Sequence, residues 1–140
     1  MFSREERFQA IGLAGEAELV AMADRVLAAR DVTVLRPPQS GAVMLRAIET
    51  AEGSVFNLGE VSVTEAEVEL AGERGYSMVM GYAPQKALAG AVLDAAAEAG
   101  IEVEEIGRLL ELALEAEHSR RTAQWRALAA TRVEFDEIPE

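Results

Sequence analysis

Few residues of this chain could do chemistry, and their spacing limits what that chemistry would be. Glu111, Glu115 and His118 fall at offsets of four and three, so one helix face would carry two carboxylates and the only imidazole, a donor set for zinc or manganese. Ligation also needs a converging second element, and the letters read equally as a solvated Glu-rich face with one exposed His. Glu65, Glu67 and Glu69 share one side of an extended segment, and paired carboxylates do acid–base work when burial raises one pKa. Their neighbours Ala66, Val68 and Leu70 take the other side, which leaves the glutamates on the solvent side of a half-buried strand. Gly72, Gly75 and Gly81 lack the Lys and hydroxyl of a phosphate loop and the tight spacing of a dinucleotide fingerprint, and read as hairpin glycines. The single His has no evident nucleophile beside it, so no Ser-His-Asp set can be assembled. The sequence therefore assigns no catalytic, cofactor-binding or metal-ligating residue, and no cofactor is expected.

Composition narrows the partners. The 140 residues suit one domain spanning 1–140. Half of them are hydrophobic but only 5% are aromatic, so Ala, Leu, Val, Ile and Met must fill the core, which favours closely packed helices. No cysteine is present, which removes disulfides and thiol chemistry and suits a reducing compartment. Charges replace the apolar core of a signal peptide at Arg4, Glu5, Glu6 and Arg7, and no apolar run approaches the roughly 20 residues of a membrane span. A cytoplasmic protein is expected. A net charge of −12 repels nucleic acid and anionic membranes, so neither is an expected partner. The basic residues Arg120, Arg121, Arg126 and Arg132 follow a Glu-rich stretch and read as charge patterning along a C-terminal helix. Trp125, beside Arg126, is either a helix-face core residue or an interface anchor, since Trp and Arg dominate binding hot spots.

The elements that would position these residues follow from periodicity. Ser3 and Glu6 have capping-box spacing, which starts a helix at Arg4 that Gly12 and Gly15 interrupt. A second helix from Glu16 to Arg30 turns Leu19, Met22, Ala23, Val26 and Leu27 inward. The period then changes. Val32–Leu35 reads as a strand, Pro37-Pro38 as a turn or edge, and Gly41 opens a second strand through Val43, Leu45 and Ala47. After a turn at Glu52-Gly53, Val55 to Val63 leads into Ala66, Val68 and Leu70 with a shift of parity that a bulge near Thr64 would produce. Gly72 and Gly75 bracket a tight turn before a last strand of Tyr76, Met78 and Met80. Pro84 opens a helix whose one apolar face runs from Leu88 to Ala99 and stops at Gly100, and Val103 to Leu114 is helical again. A further helical segment from Ser119 to Ala130 follows a bend near His118, and Thr131–Phe135 alternates as a short strand or an extended docking arm. The fold class is α+β: an antiparallel β-meander of about four strands packed against N-terminal and C-terminal helices.

Several blocks together resemble one family. They are Phe56-Asn57-Leu58-Gly59-Glu60-Val61-Ser62-Val63-Thr64, Gly75-Tyr76-Ser77 through Gly81, the Ala-rich helix containing Asp94, and Thr131-Arg132-Val133-Glu134-Phe135, preceded by the stretch from Arg36 to Arg46. In order and spacing they resemble PhnG, the G subunit of the bacterial carbon-phosphorus lyase core complex. The resemblance implies a cytoplasmic accessory subunit of phosphonate catabolism that assembles with the H, I and J subunits, mainly the I subunit. In that system the I subunit, helped by G, H and L, replaces the adenine of a purine nucleoside triphosphate with methylphosphonate, forming ribose 1-methylphosphonate 5-triphosphate. The radical cleavage belongs to J, and no catalytic residue is assigned to G. The family commonly continues after the last strand as Gly-Arg-Asp-x-x-His-Ala-Glu, whereas this chain has Gly81-Tyr82-Ala83-Pro84-Gln85-Lys86-Ala87-Leu88; the polar cluster is gone. Trp125, Arg132 and Phe135 are the expected contact residues. The alternative is a nucleotide- or phosphonate-binding protein, or an enzyme acting alone, with a pocket on the Tyr76, Met78 and Met80 face or on the His118 helix. Purified alone, the chain could also pair with itself as a homodimer through surface that a partner normally covers.

Overall fold

A computed structural model of the chain describes residues 2–49 and 51–136, with side chains as far as residue 130. The capping box forms as its spacing requires: Glu6 N–H donates to the Ser3 hydroxyl and Ser3 N–H to the Glu6 carboxylate. It opens α1 (Arg4–Leu13), followed by α2 (Glu16–Leu27), β1 (Thr33–Ile48), β2 (Val55–Leu70), β3 (Glu73–Met80), α3 (Pro84–Glu98) and α4 (Val103–Asp136). Helix α2 is shorter than its periodicity suggested, and Leu19, Met22, Ala23 and Val26 do turn inward.

Among the described residues the sheet has three antiparallel strands in the order β1-β2-β3 rather than four. The two strands expected on either side of Pro37-Pro38 are one 16-residue strand. An edge strand tolerates proline because no neighbour needs the missing N–H, and the ladder slips between Val34 and Arg36 and again between Arg36 and Gln39. The bulge expected near Thr64 does not lie in β2 itself, since Thr64 pairs in sequence with both Val79 and Ser40; the slip beside it, from Gln39 opposite Glu65 to Arg36 opposite Glu67, puts the extra residue in β1. The parity changes because both sides of the sheet hold apolar residues there. Thr64, Ala66, Val68 and Leu70 are buried towards the helices, while Val63 is buried on the opposite face beside Gly41. The extra residue on the β2 side lies further out, where Leu45 pairs with Gly59 and Arg46 with Asn57, leaving Leu58 unpaired in the β1 ladder.

Helix α3 forms the centre of the core. Every residue from Ala89 to Ala96 is buried, not one stripe, because β2 and β3 cover one side while α1, α2 and α4 close the others. Small side chains make that position accessible. A Cβ at Gly75, within β3, would lie 2.0 Å from the Ala91 carbonyl oxygen and 2.5 Å from Ala95 N. Gly75 is thus a helix-contact glycine, not the hairpin glycine that its spacing suggested. Where the helix crosses Ser77, a Cβ at Gly90 would meet Ile11 at 2.6 Å and Ser77 at 3.0 Å, and the Ser77 hydroxyl donates to the Ala87 carbonyl. The true hairpin turn is Ala71-Gly72, with φ of 52° and 81°, the primed geometry that matches strand twist.

Helix α4 packs Ile106 and Leu110 into the core and then leaves it. Among its residues 111–130 none is buried. Its 34 residues run without interruption, so the helix is about 50 Å long, and helical backbone continues through the bend expected near His118. The expected strand or extended arm at Thr131–Phe135 is also overturned: that backbone is the last part of α4. Acid-to-Arg pairs support the helix in its exposed half, with Glu117 bonded to Arg120 and Arg121.

Two substitutions test these constraints. Gly75→Ala should lower unfolding free energy by about 3 kcal/mol, read from urea denaturation, because neither Ala91 O nor Ala95 N can yield without moving α3. Ala71→Asn should instead stabilise by up to about 1 kcal/mol, since Ala is in the left-handed region that Asn tolerates better.

Candidate functional site

The most elaborate polar cluster is built where α1 crosses α3 at the free edge of β3. Asp94 is buried. One carboxylate oxygen accepts from Arg7 Nε at 2.8 Å, and the other from Arg4 Nη2 at 3.2 Å and from Tyr76 N–H at 2.9 Å. Arg7 also bonds Glu98, one turn further along α3. Arg4 Nη2 donates to the Arg74 carbonyl at 2.6 Å. Desolvation pushes the Arg7 pKa down, but its hydrogen bonds to Asp94 and Glu98 outweigh it and the net shift is upward. The cluster occupies β3 edge groups that would otherwise be free. This joins α1, β3 and α3. Sequence reading missed it, although two signals were present: Asp94 shares the α3 face of Ala87, Gly90 and Ala91, and Arg4 and Arg7 share one face of α1. Arg7→Met should cost about 3–5 kcal/mol in urea denaturation, because it strips a buried carboxylate of its main partner; adding Asp94→Asn should recover part of that loss.

On the opposite side of the sheet, Glu65, Glu67 and Glu69 do lie across from Ala66, Val68 and Leu70. Glu65 accepts from the Tyr76 hydroxyl at 2.6 Å and from Arg36 at 3.2 Å, while Phe8 stacks on the Tyr76 ring with centroids 6.1 Å apart. Burial, then the bond to Glu65, pushes the Tyr76 phenol up to about 12. Its neutral form is therefore favoured in the fold. That stability is fully present below the ordinary value of 10.0 and is lost as pH rises from there towards the folded value. In a Tyr82→Phe background, which leaves Tyr76 as the only tyrosine, an ultraviolet titration should show ionisation near that raised value, and Glu65→Gln should bring it down.

Glu111, Glu115 and His118 are exposed along α4, and among the described residues no group of three or more His, Asp or Glu side chains could hold a metal ion. Gly72 and Gly81 have φ of 81° and 82°, respectively in the hairpin turn and at the end of β3. Along Gly81–Leu88, Tyr82 is exposed, Pro84 starts α3, and Lys86 Nζ donates to the Gly12 carbonyl at 3.0 Å. Lys86 thus supplies a cation at the C-terminal end of α1, whose last turn has no basic residue.

Grooves run along α4. One of about 650 Å³ is lined by Arg4, Arg7 and Arg108 together with Glu98, Glu104 and Glu111, and another, of about 610 Å³, lies between α4 and the α1–α2 corner at Leu13 to Glu18. Neither uses Tyr76, Met78, Met80 or His118.

Exposed apolar surface concentrates on two projections. One is the outer part of the β1–β2 hairpin, with Leu45, Ile48, Val55, Phe56 and Leu58 exposed. The other is α4, with Leu112, Leu128 and Trp125, the last 73% exposed, so Trp125 is a surface residue and not a core one. Arg120 and Arg121 are taken up by Glu117, whose carboxylate is held below its usual range first by the Arg120 bond. Arg126 stays exposed beside Trp125. Arg132 and Phe135 lie on the same helix by backbone, and their side chains fall outside the described residues.

The family model for the phosphonate metabolism protein PhnG matches residues 2–138. The chain belongs to the PhnG family. A Rhizobium meliloti (strain 1021) protein named alpha-D-ribose 1-methylphosphonate 5-triphosphate synthase subunit PhnG is 32% identical over 136 residues, covering 94% of this chain and 85% of that protein. The blocks that carry the likeness to PhnG fall on structural positions: Phe56–Thr64 runs along β2 from the projecting hairpin to its entry into the core, Gly75–Gly81 is the strand under α3, and Asp94 is the buried hub. No helix of the described residues is long and apolar enough to cross a membrane.

Proposed function

We propose that this chain is an accessory subunit of an assembly that makes alpha-D-ribose 1-methylphosphonate 5-triphosphate from a purine nucleoside triphosphate and methylphosphonate, acting in the cytoplasm with the H, I and J subunits and docking mainly on the I subunit. The observation that carries this reading is the pair of bare projections, the outer β1–β2 hairpin and the distal half of α4, which expose Phe56, Leu58, Trp125 and Leu128 with no core behind them. A two-stranded ribbon on its own is marginal in water, so both projections suit contact with a larger partner. The name of the Rhizobium relative, a synthase subunit, supports the same direction. Its part in the reaction is then to shape and hold the catalytic subunit, with Trp125, Arg132 and Phe135 among the contacts.

Co-expression with the I subunit tests this. A stable complex should form, and deletion of the gene should abolish growth on methylphosphonate as phosphorus source; normal growth and no complex would reject the reading. Trp125→Ala should weaken the complex by about 2 kcal/mol while leaving the melting temperature of the isolated chain unchanged, since the ring is exposed. A nucleotide or phosphonate acting on this chain directly should raise its melting temperature, and an unchanged transition with ATP, GTP and methylphosphonate is the expected result.

A further inference from the structure

The outer edge of β1 is a second site of interest, and it is chemically distinct from α4. Its outward N–H and C=O groups from Ser40 to Ile48 have no hydrogen-bond partner among the described residues, because β1 ends the sheet. Edge strands are ordinarily blunted by proline, charge or a covering element. Here Pro37 and Pro38 blunt only the inner half, where the ladder to β2 also slips. Beyond Gln39 the strand has no proline, and its side chains alternate cleanly. Val43, Leu45 and Ala47 lie on one face, where their β2 neighbours include Val61 and Phe56. On the other face Met44 and Ile48 flank Arg46, which is exposed and makes no ion pair or side-chain hydrogen bond among the described residues.

We infer that residues 40–48 of β1 take up an extended strand from a companion subunit by β-augmentation, the added strand being apolar with a carboxylate in register with Arg46. Backbone groups supply the pairing, and side-chain positions on both faces select the occupant. Charge decides between occupants. Strand β1 contains Arg36 and Arg46 and no carboxylate, and the acid that follows it, Glu49, already accepts from the Ala51 and Glu52 N–H groups, so two copies paired edge to edge over residues 40–48 would set no strand carboxylate opposite Arg46. A strand from another protein can provide one. The inference rests on the accessory-subunit reading, and the test separates the two.

The experiment compares hydrogen exchange of this chain alone and in complex with the companion synthase subunits. Amides from Ser40 to Ile48 should exchange at least about tenfold more slowly in the complex, and Arg46→Glu should raise the dissociation constant by about tenfold or more, with Arg46→Gln intermediate. Both variants should melt like the parent chain, because Arg46 is exposed and unpaired. A complex that forms with unchanged exchange over residues 40–48 overturns the inference and leaves the accessory role standing. Protection of the same amides in the chain alone, rising with its own concentration, overturns the choice of occupant in favour of a second copy. No complex under any condition overturns both.

Discussion

Helix α3 lies so close to β3 that a single methyl group at residue 75 would overlap the Ala91 carbonyl. That close contact organises the rest of the molecule. It explains why α3 is made of Ala, Gly and Ser-sized contacts where it crosses the sheet, and why the helix is buried over nearly its whole circumference. It also carries Asp94 to the edge of β3, within reach of the Tyr76 N–H and of two guanidinium groups from α1. A buried carboxylate is costly unless paired and hydrogen-bonded, so once α3 is seated, α1 is held in one register by its two arginines. Most aromatic side chains are left out of this core: Trp125 and Tyr82 are exposed and Phe56 is half exposed.

What the core does not use is as informative. The hairpin beyond Ser62 and α4 beyond Leu110 extend from the body with almost no burial. Contiguous exposed apolar surface of this kind marks a site of contact with another molecule. The polar constellations that could have been catalytic are occupied structurally. Glu65 is bound by Tyr76 and Arg36, Asp94 by Arg7, Arg4 and backbone, and the His118 helix face has no opposing ligands among the described residues. Family membership places the chain in phosphonate metabolism.

Element types were largely readable from periodicity, because helix and strand periods differ and caps are local. Ser3 with Glu6, Pro84 and Gly100 bound helices as their chemistry requires. The misreadings occurred where a local signal depends on what lies beside it. Two prolines break a central strand but not an edge strand, so the count of four became three. Alternation in Thr131–Phe135 suggested an extended arm, yet the backbone there continues a helix whose preceding turns are already formed, and propagation is easier than a new start. Gly75 looked like a turn glycine because turns and close contacts select the same residue.

From the residues alone came the α+β class, the acidic surface, the absence of thiol chemistry and the family, all of which depend on composition or on order along the chain. Only the tertiary structure decided which glycine touches a helix, which acid is buried, and which face of the sheet is covered. It also decided that Trp125 lies on the surface. Those outcomes depend on distances between segments far apart in sequence, such as Arg7 to Asp94 and Gly75 to Ala91, and no local period encodes a distance of that kind.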